Sequence, residues 1–281
     1  MITALDHVVL VCPDLTEGVM AYATLLGHGP VWQSEGEGQS SAVFALGNTS
    51  LEIIAPTGSG PVADKLRDMT ADGAVLSSLA YRSDALDEDH RLCTRRGLTP
   101  SAIGEYSSQH ASTGADRHWR AFRIPDSKMA SVKTFILQSY TSFEAPNLSV
   151  DSGAVSHLDH LVINTPNPDR TVATYGARLD LRLALDRTAE QWKTRFLFFR
   201  LGGLTLEIIH RLDTEHDPNG PDVIWGITWE TQDLDAAHAR LTNAGITVSE
   251  LRTGRKPGSR VFTVKSGTLG IPTLFIAHAK E

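Results

Sequence analysis

An imidazole and a carboxylate recur in this chain at nearly constant spacing. His7 and Glu52 lie 45 residues apart, and His160 and Glu207 lie 47 apart. The wording around them repeats too: Leu5-Asp6-His7-Val8-Val9-Leu10-Val11 returns as Leu158-Asp159-His160-Leu161-Val162-Ile163-Asn164, and Ser50-Leu51-Glu52-Ile53-Ile54 as Thr205-Leu206-Glu207-Ile208-Ile209. A lone His beside an apolar run is ordinarily solvated or hydrogen-bonded. A Glu before Ile-Ile is harder to dismiss, because strand alternation sets Glu52 and Ile54 on one face and an unpaired carboxylate facing a core is costly. Keeping both residues in two copies favours a shared local role, in metal binding or direct catalysis, over an inherited structural His–Glu hydrogen bond.

The elements that must position them read alike in both copies. An apolar strand (Val8 to Val11; Leu161 to Ile163) ends in a Pro/Asp cluster that stops it and offers a helix N-cap. A helix follows over Leu15 to Leu26, or Arg170 to Arg178, and then three strands, at Pro30 to Ser34, Ala42 to Leu46 and Ser50 to Ala55, or at Leu181 to Asp186, Thr194 to Leu201 and Leu204 to His210. Two weaker copies, opening at Val75 and Trp225, repeat the order, with Gly97 and Gly245 closing their helices. The pattern predicts an α+β chain of four βαβββ modules, strong, weak, strong, weak. The aperiodic Ser/Pro/Gly/Asn-bearing stretch 142–156 is the expected linker between domains at 1–141 and 157–281.

Composition narrows the partners. With 281 residues, 41% of them hydrophobic, the chain can bury two cores, and a net charge of −7 with scattered Lys and Arg speaks against nucleic acid. The N-terminus lacks a signal-peptide pattern and no window suits a membrane helix, so a cytoplasmic protein with no membrane partner is expected. Cys12 and Cys93 read as buried free thiols. The run Glu35 to Ser41 is Gly-rich and acidic, a loop and not a phosphate cradle.

A first strand reading Leu-Asp-His and a fourth reading Leu-Glu-Ile-Ile, repeated in βαβββ units, resemble the vicinal oxygen chelate superfamily, which includes glyoxalase I, extradiol dioxygenases, methylmalonyl-CoA epimerase and fosfomycin or bleomycin resistance proteins. The resemblance implies two glyoxalase/dioxygenase-like domains in a tandem glyoxalase-like protein, and it allows a homodimer. It also implies a divalent cofactor, Fe, Mn, Ni, Zn or Mg, with His7, Glu52, His160 and Glu207 as the metal ligands and Glu52 or Glu207 as the catalytic carboxylate. The chain departs from the family pattern in its even modules. Counting back from the Asp at each helix start puts Ser77 and Gly226 where a His belongs, and the same alignment puts Phe135 and Phe275 where a Glu belongs. One His and one Glu per domain are too few for a tight site. Three ways out stay open: completion by His118, Gln138, His210 or His278; a meeting of modules one and three; or no metal at all.

Trp32, Trp119, Trp192 and Trp229, with Arg120, Arg195 and Arg200, could line an apolar pocket with anchors for an anion, although such aromatics are mostly core residues. Arg195, Arg200, Trp192, Trp229 and His210 are the expected substrate-binding groups, and because they belong to modules three and four, the C-terminal half is expected to carry the chemistry. What the resemblance implies first is a metal-dependent isomerase or lyase acting on a small oxygenated molecule through an enediolate. An extradiol-type dioxygenase is the alternative enzyme, and a metal-free ligand-binding or drug-sequestering protein the alternative without chemistry.

Overall fold

The computed structural model describes residues 2–141, 143–147, 149 and 152–279. Strand-forming and helix-forming stretches alternate as the repeat demands. The first half supplies β1 (Ile2–Val11), α1 (Leu15–Leu26), β2 (Trp32–Gly36), β3 (Gln39–Ala45) and β4 (Ser50–Pro56), then α2 (Pro61–Met69), β5 (Val75–Ser83), α3 (Leu86–Arg95), β6 (Gly104–Gln109), β7 (Asp116–Ile124) and β8 (Lys133–Ser139). The second supplies β9 (Val155–Asn164), α4 (Pro168–Thr171, continued as a π-helix over Val172–Arg178), β10 (Arg182–Ala189), β11 (Thr194–Leu201) and β12 (Leu204–Arg211), then β13 (Val223–Thr231), α5 (Leu234–Asn243), β14 (Arg252–Thr253), β15 (Arg260–Val264) and β16 (Thr273–Ala277). β9 begins inside the stretch read as linker; Ser142, Leu148, Val150 and Asp151 of that stretch lie outside the described residues.

Each half is one eight-stranded mixed sheet, ordered β2-β3-β4-β1-β5-β8-β7-β6 and β10-β11-β12-β9-β13-β16-β15-β14. The two modules of a half meet at an antiparallel central pair, β1 with β5 or β9 with β13. The chain is therefore α+β, with four βαβββ modules paired into two eight-stranded sheets, as its repeats predict. In the first sheet the outer strands come round towards each other, where Ala111 N–H donates to the Gln33 carbonyl (2.8 Å) and the Trp32 and His110 rings meet edge-on at 5.1 Å.

Strand alternation gives each sheet two faces. One face of β1 carries Val8 and Leu10, both wholly buried, and one face of β9 carries Leu161 and Ile163; together with side chains from the helices these form one continuous core spanning both halves. α1, α3, α4 and α5 lie at this shared side, whereas α2 packs on the other face, where Leu66 meets Val9 and Val11. Arg240 of α5 donates to the Leu25 carbonyl (2.9 Å), the Gly153 carbonyl (3.1 Å) and the Thr24 carbonyl, so a cation meets the unpaired carbonyls at the C-terminal end of α1. The β3–β4 turn crosses over too: Gly47 N–H donates to the Ser156 carbonyl (2.8 Å), and Asn48 brackets Leu158 with bonds of 2.8 and 3.0 Å. Gly47 sits against the His157 ring, and a Cβ there would fall 2.4 Å from His157 Nε2, so a side chain would require the imidazole to move.

α1 matches its expected span, with Asp14 accepting from Glu17 N–H (2.8 Å) and Gly27 left-handed at φ 79°. α3 starts later than its Ser83-Asp84 signal suggests. Ser83 Oγ takes the Ala85 N–H at 3.1 Å and donates to Asp89 at 2.7 Å, so Ala85 is the N-cap. Among the described residues no helix is long and apolar enough to cross a membrane.

Candidate active site

The other face of each sheet is a cup, and its floor is set by a bulge. In the β1–β5 ladder Leu5 pairs with Tyr81 and His7 with Ala80, which leaves Asp6 as an extra residue; in the β9–β13 ladder Leu158 pairs with Trp229 and His160 with Thr228, which leaves Asp159. A bulge restarts the alternation, so the Leu of each Leu-Asp-His goes to the core while Asp and His both turn into the cup. Leu5 with Val8, and Leu158 with Leu161, are accordingly all fully buried at a spacing that regular alternation forbids.

The duplicated pairs assemble within their own cups. His7 Nε2 stands 3.3 Å from Glu52 Oε2, and His160 Nε2 stands 3.2 Å from Glu207 Oε2. Behind each imidazole Nδ1 is held by the bulged aspartate, at 2.8 Å from Asp6 and 2.6 Å from Asp159. That contact fixes the ring and turns Nε2 towards the Glu. Each pair keeps to its own sheet, so modules one and three do not combine into a single set.

The two aspartates then diverge. Asp6 accepts from Arg82 Nε at 3.2 Å and has Arg117 at 4.0 Å. At the matching places of the second cup Asp159 meets His278 Nε2 at 2.6 Å, with Glu230 near, and ligand atoms of Asp159, Glu230 and His278 all fall within 4.8 Å of one another, a set that could hold a metal ion. Burial alone would raise both aspartates; hydrogen bonds from His7 and His160, aided by the charges of Arg82 and Arg117 or of His278, outweigh it and hold each at about 2. Glu207, buried with less compensation, is pushed up.

A carboxyl lowered on folding stabilises the folded chain above its unfolded pKa and loses that contribution as pH falls through the folded value. Stability is therefore expected to drop between about pH 4 and pH 2, by roughly 2 kcal/mol for each aspartate, on the scale of a two-unit depression. Urea midpoints taken across that window should fall less in an Asp6→Asn, Asp159→Asn double variant than in the parent.

The even-module positions need a one-residue adjustment. Seven residues before the true α3 N-cap is Ser78, not Ser77; Ser77 is the extra residue of a second bulge, with its hydroxyl 3.0 Å from that of Ser78. Ser78 pairs with Lys133, so Phe135 does hold the Glu place. In the last module Trp229 pairs with Phe275, both fully buried on the core side, and Leu274 faces the cup instead. Each cup thus has one imidazole and one carboxylate at the four inherited positions, facing Ser78 and Phe135 or Gly226 and Leu274.

Several expected binding groups point elsewhere. Trp229 is core, not pocket. His210 shares the opposite face from Glu207, as alternation requires, and its Nδ1 lies 3.0 Å from the Thr165 carbonyl. Arg195 on that same face is tied to Asp186 (2.9 and 2.8 Å) and Asp169 (2.8 Å). Arg120 is clasped by Asp87 at 3.0 and 3.1 Å. His118 and Gln138 also alternate away from their cup; of the residues proposed to complete a site, His278 alone is on the cup side. Arg200 faces the second cup and donates to Thr205 (2.8 Å), and Trp192 stands at its rim under Arg255, whose guanidinium carbon is 4.1 Å from the ring centroid. With Arg195 and His210 turned away, the case for chemistry in the C-terminal half loses two of its supports.

The first cup holds an open cleft of about 830 Å³ above His7 and Glu52. Trp32, Trp119, Tyr106 and Phe135 supply apolar walls, Arg117 and Lys133 supply positive charge, and α2 closes one side with Lys65, Leu66 and Met69. Asp6, Arg117, Lys133 and α2 escape a reading by motif. The Leu-to-apolar spacing across Asp6 was a signal for the bulge, whereas Arg117 and Lys133 carry none.

A profile described as Glyoxalase-like domain matches residues 5–156, and one described as Glyoxalase/Bleomycin resistance protein/Dioxygenase superfamily matches residues 159–263. No curated protein sequence is similar enough to count as a relative. Among solved structures, a mutant 4-hydroxymandelate synthase from Streptomyces coelicolor is 14% identical, with a TM-score of 0.70 over 100% of this chain and 95% of its own. The Mn(II)-bound glyoxalase from Novosphingobium aromaticivorans is 15% identical, with a TM-score of 0.69 over 100% of this chain and 83% of its own. A fusion of a xylose isomerase-like TIM barrel with a 4-hydroxyphenylpyruvate dioxygenase is 14% identical, with a TM-score of 0.66, and this chain spans 49% of its length. At these identities the likeness is one of fold.

Proposed function

Because this chain belongs to the glyoxalase/bleomycin resistance protein/dioxygenase superfamily, the vicinal oxygen chelate proteins, we propose that it is an isomerase or lyase working on a small oxygenated organic molecule in the first cup. The supporting observation is the line Asp6–His7–Glu52 at the floor of that cleft. Glu52 is the group that removes a proton from carbon beside a carbonyl. His7, oriented through Nδ1, presents its Nε2 side to the oxygen on which charge develops, and the same proton can be returned to the neighbouring atom of an enediolate. The apolar walls keep water from the carbanion.

The divalent ion implied by the resemblance does not fit this first cup. Its inherited positions give one imidazole and one carboxylate, opposite a benzyl side chain and a serine, while Arg82 and Arg117 already crowd Asp6 with positive charge. The test of the proton-transfer reading is exchange: incubation with α-hydroxy and α-keto carbonyl compounds in D2O, followed by proton NMR. Enzyme-dependent loss of an α-proton signal supports it, and a wholly inert protein that still binds ligands favours the sequestering alternative.

A second reading is favoured by the donor-rich second cup, where Asp159, Glu230 and His278 adjoin His160 and Glu207. In that reading a divalent ion of unassigned identity sits there and the metal-dependent chemistry belongs to the C-terminal half. Elemental analysis after reconstitution with Mn²⁺, Zn²⁺ or Fe²⁺ is expected to give one ion per chain, lost in Glu230→Ala and kept in Glu52→Ala. Loss in the second variant alone would move the metal to the first cup.

A further inference from the structure

The proton-transfer reading leaves several charged residues of the cavity unused, and Arg117 is the most buried cation among those that form an ion pair there. Arg117 sits on β7 with its side chain only 8% exposed, facing the first cup. Its guanidinium carbon lies 5.0 Å from the ring centroid of Trp119 and 4.7 Å from that of Phe143. Among the described residues the one carboxylate within reach is Asp6, at 4.0 Å, and the two Asp6 oxygens already have closer partners in His7 and Arg82. Arg117 Nε is buried and has no hydrogen-bond partner. An arginine fork carries five N–H donors in a plane, and a buried cation left short of partners is costly. Stacking on aromatic faces offsets part of that cost and holds the fork rigid without occupying its in-plane donors.

Charge counted around the duplicated aspartate points the same way. Immediately around Asp6, Arg82 and Arg117 leave one positive charge in excess, whereas the same aspartate in the second cup adjoins Glu230 and His278. The aromatic surfaces of Trp119 and Tyr106, stacked at 5.9 Å with 16° between their planes, lie along the wall of the same cavity.

We infer that Arg117 is the anchor for a carboxylate of the bound molecule, and that the first cup takes planar organic carboxylates whose apolar body lies against the Trp119 wall. This rests on the reading of the first cup as the active site, and it deepens that reading by naming the substrate class. The planar fork of arginine matches a carboxylate in a bidentate pair, and exclusion of water strengthens the pair. Arg117 is then a binding residue on β7, separated by β8 and β5 from the adjacent strands β1 and β4 that carry His7 and Glu52.

The test is calorimetric titration of the intact protein with benzoate and with its neutral isostere benzamide. Benzoate is expected to bind about tenfold tighter, the scale of one charge-assisted contact. Arg117→Met, which keeps the stem on the rings, should erase that preference while leaving benzamide unchanged; Arg117→Lys should keep the charge and recover only part of it. A thermal melt of each variant reports whether it folds, and if Arg117→Met fails to fold the Lys variant carries the comparison. Equal affinity for benzoate and benzamide in the parent, or an undiminished preference in both variants, overturns the proposal. So does inorganic phosphate binding as tightly as benzoate, which would mark a site for any small anion. Benzoate preference without α-proton exchange leaves the anchor standing and sinks the enzyme reading; exchange without benzoate preference does the reverse.

Discussion

Replacement of Glu52 by Gln is expected to slow α-proton exchange by about 10²- to 10⁴-fold, the range that a positioned general base contributes. The change preserves shape and removes the basic oxygen that faces His7 Nε2 at 3.3 Å. Benzoate affinity should stay within about twofold of the parent, because the anion contact lies with Arg117 and not with Glu52. The matched change Glu207→Gln provides the comparison. If the first cup is the reacting one, exchange survives in that variant; if it collapses there and persists in Glu52→Gln, the C-terminal half carries the chemistry, as the crowd of polar residues in module three led one to expect. Loss in both would require two working cups.

The second large effect concerns stability. Trp229 is fully buried, pairs with Phe275 across β13 and β16, and belongs to the core shared by both halves. Trp229→Ala should cost about 3–5 kcal/mol, the usual penalty for emptying so large a site, and would take a large share of a typical domain's stability. Trp229→Phe should cost less than about 1.5 kcal/mol, since it retains an aromatic body and deletes an indole N–H that is buried without a partner. Denaturant midpoints decide the matter. A Trp229→Ala protein of parental stability that had lost ligand binding would put this residue in a pocket after all.

The contrast between these residues shows what the chain could reveal unaided. Repeats in wording located His7, Glu52, His160 and Glu207, and alternation in β4 and β12 was enough to turn both glutamates into their cups. Helix ends read well where a capping Asp was used, as at α1, and slipped where Ser83 did the capping, as at α3. That slip, and the alignment error it resembles at Phe275, matter because a single residue reverses the face of a strand. Alternation along β12 already turned His210 away from Glu207, whereas Trp229 and Arg195 were legible only as residues on strands, their face depending on register across partners far away in sequence. Arg117 and Lys133 were illegible for a simpler reason: an isolated cation on a strand resembles any solvated one until the walls around it are known. α2 went unread because its contribution is tertiary, a short amphipathic helix laid over the cup.

The helix-side faces of both sheets form a single core, bridged by Arg240 at the end of α1 and by Asn48 against Leu158. The seam between the halves is therefore a boundary of ancestry and not of cooperativity. A calorimeter should meet one transition where the repeat suggests two, since neither half can melt without stripping the other's interior. The cups, turned away from that common interior, are under no such bond. Each copy has been free to drift in charge and occupancy while the duplicated scaffold beneath was held in step, which is how one ancestral floor came to carry arginines in one place and a glutamate with a histidine in the other.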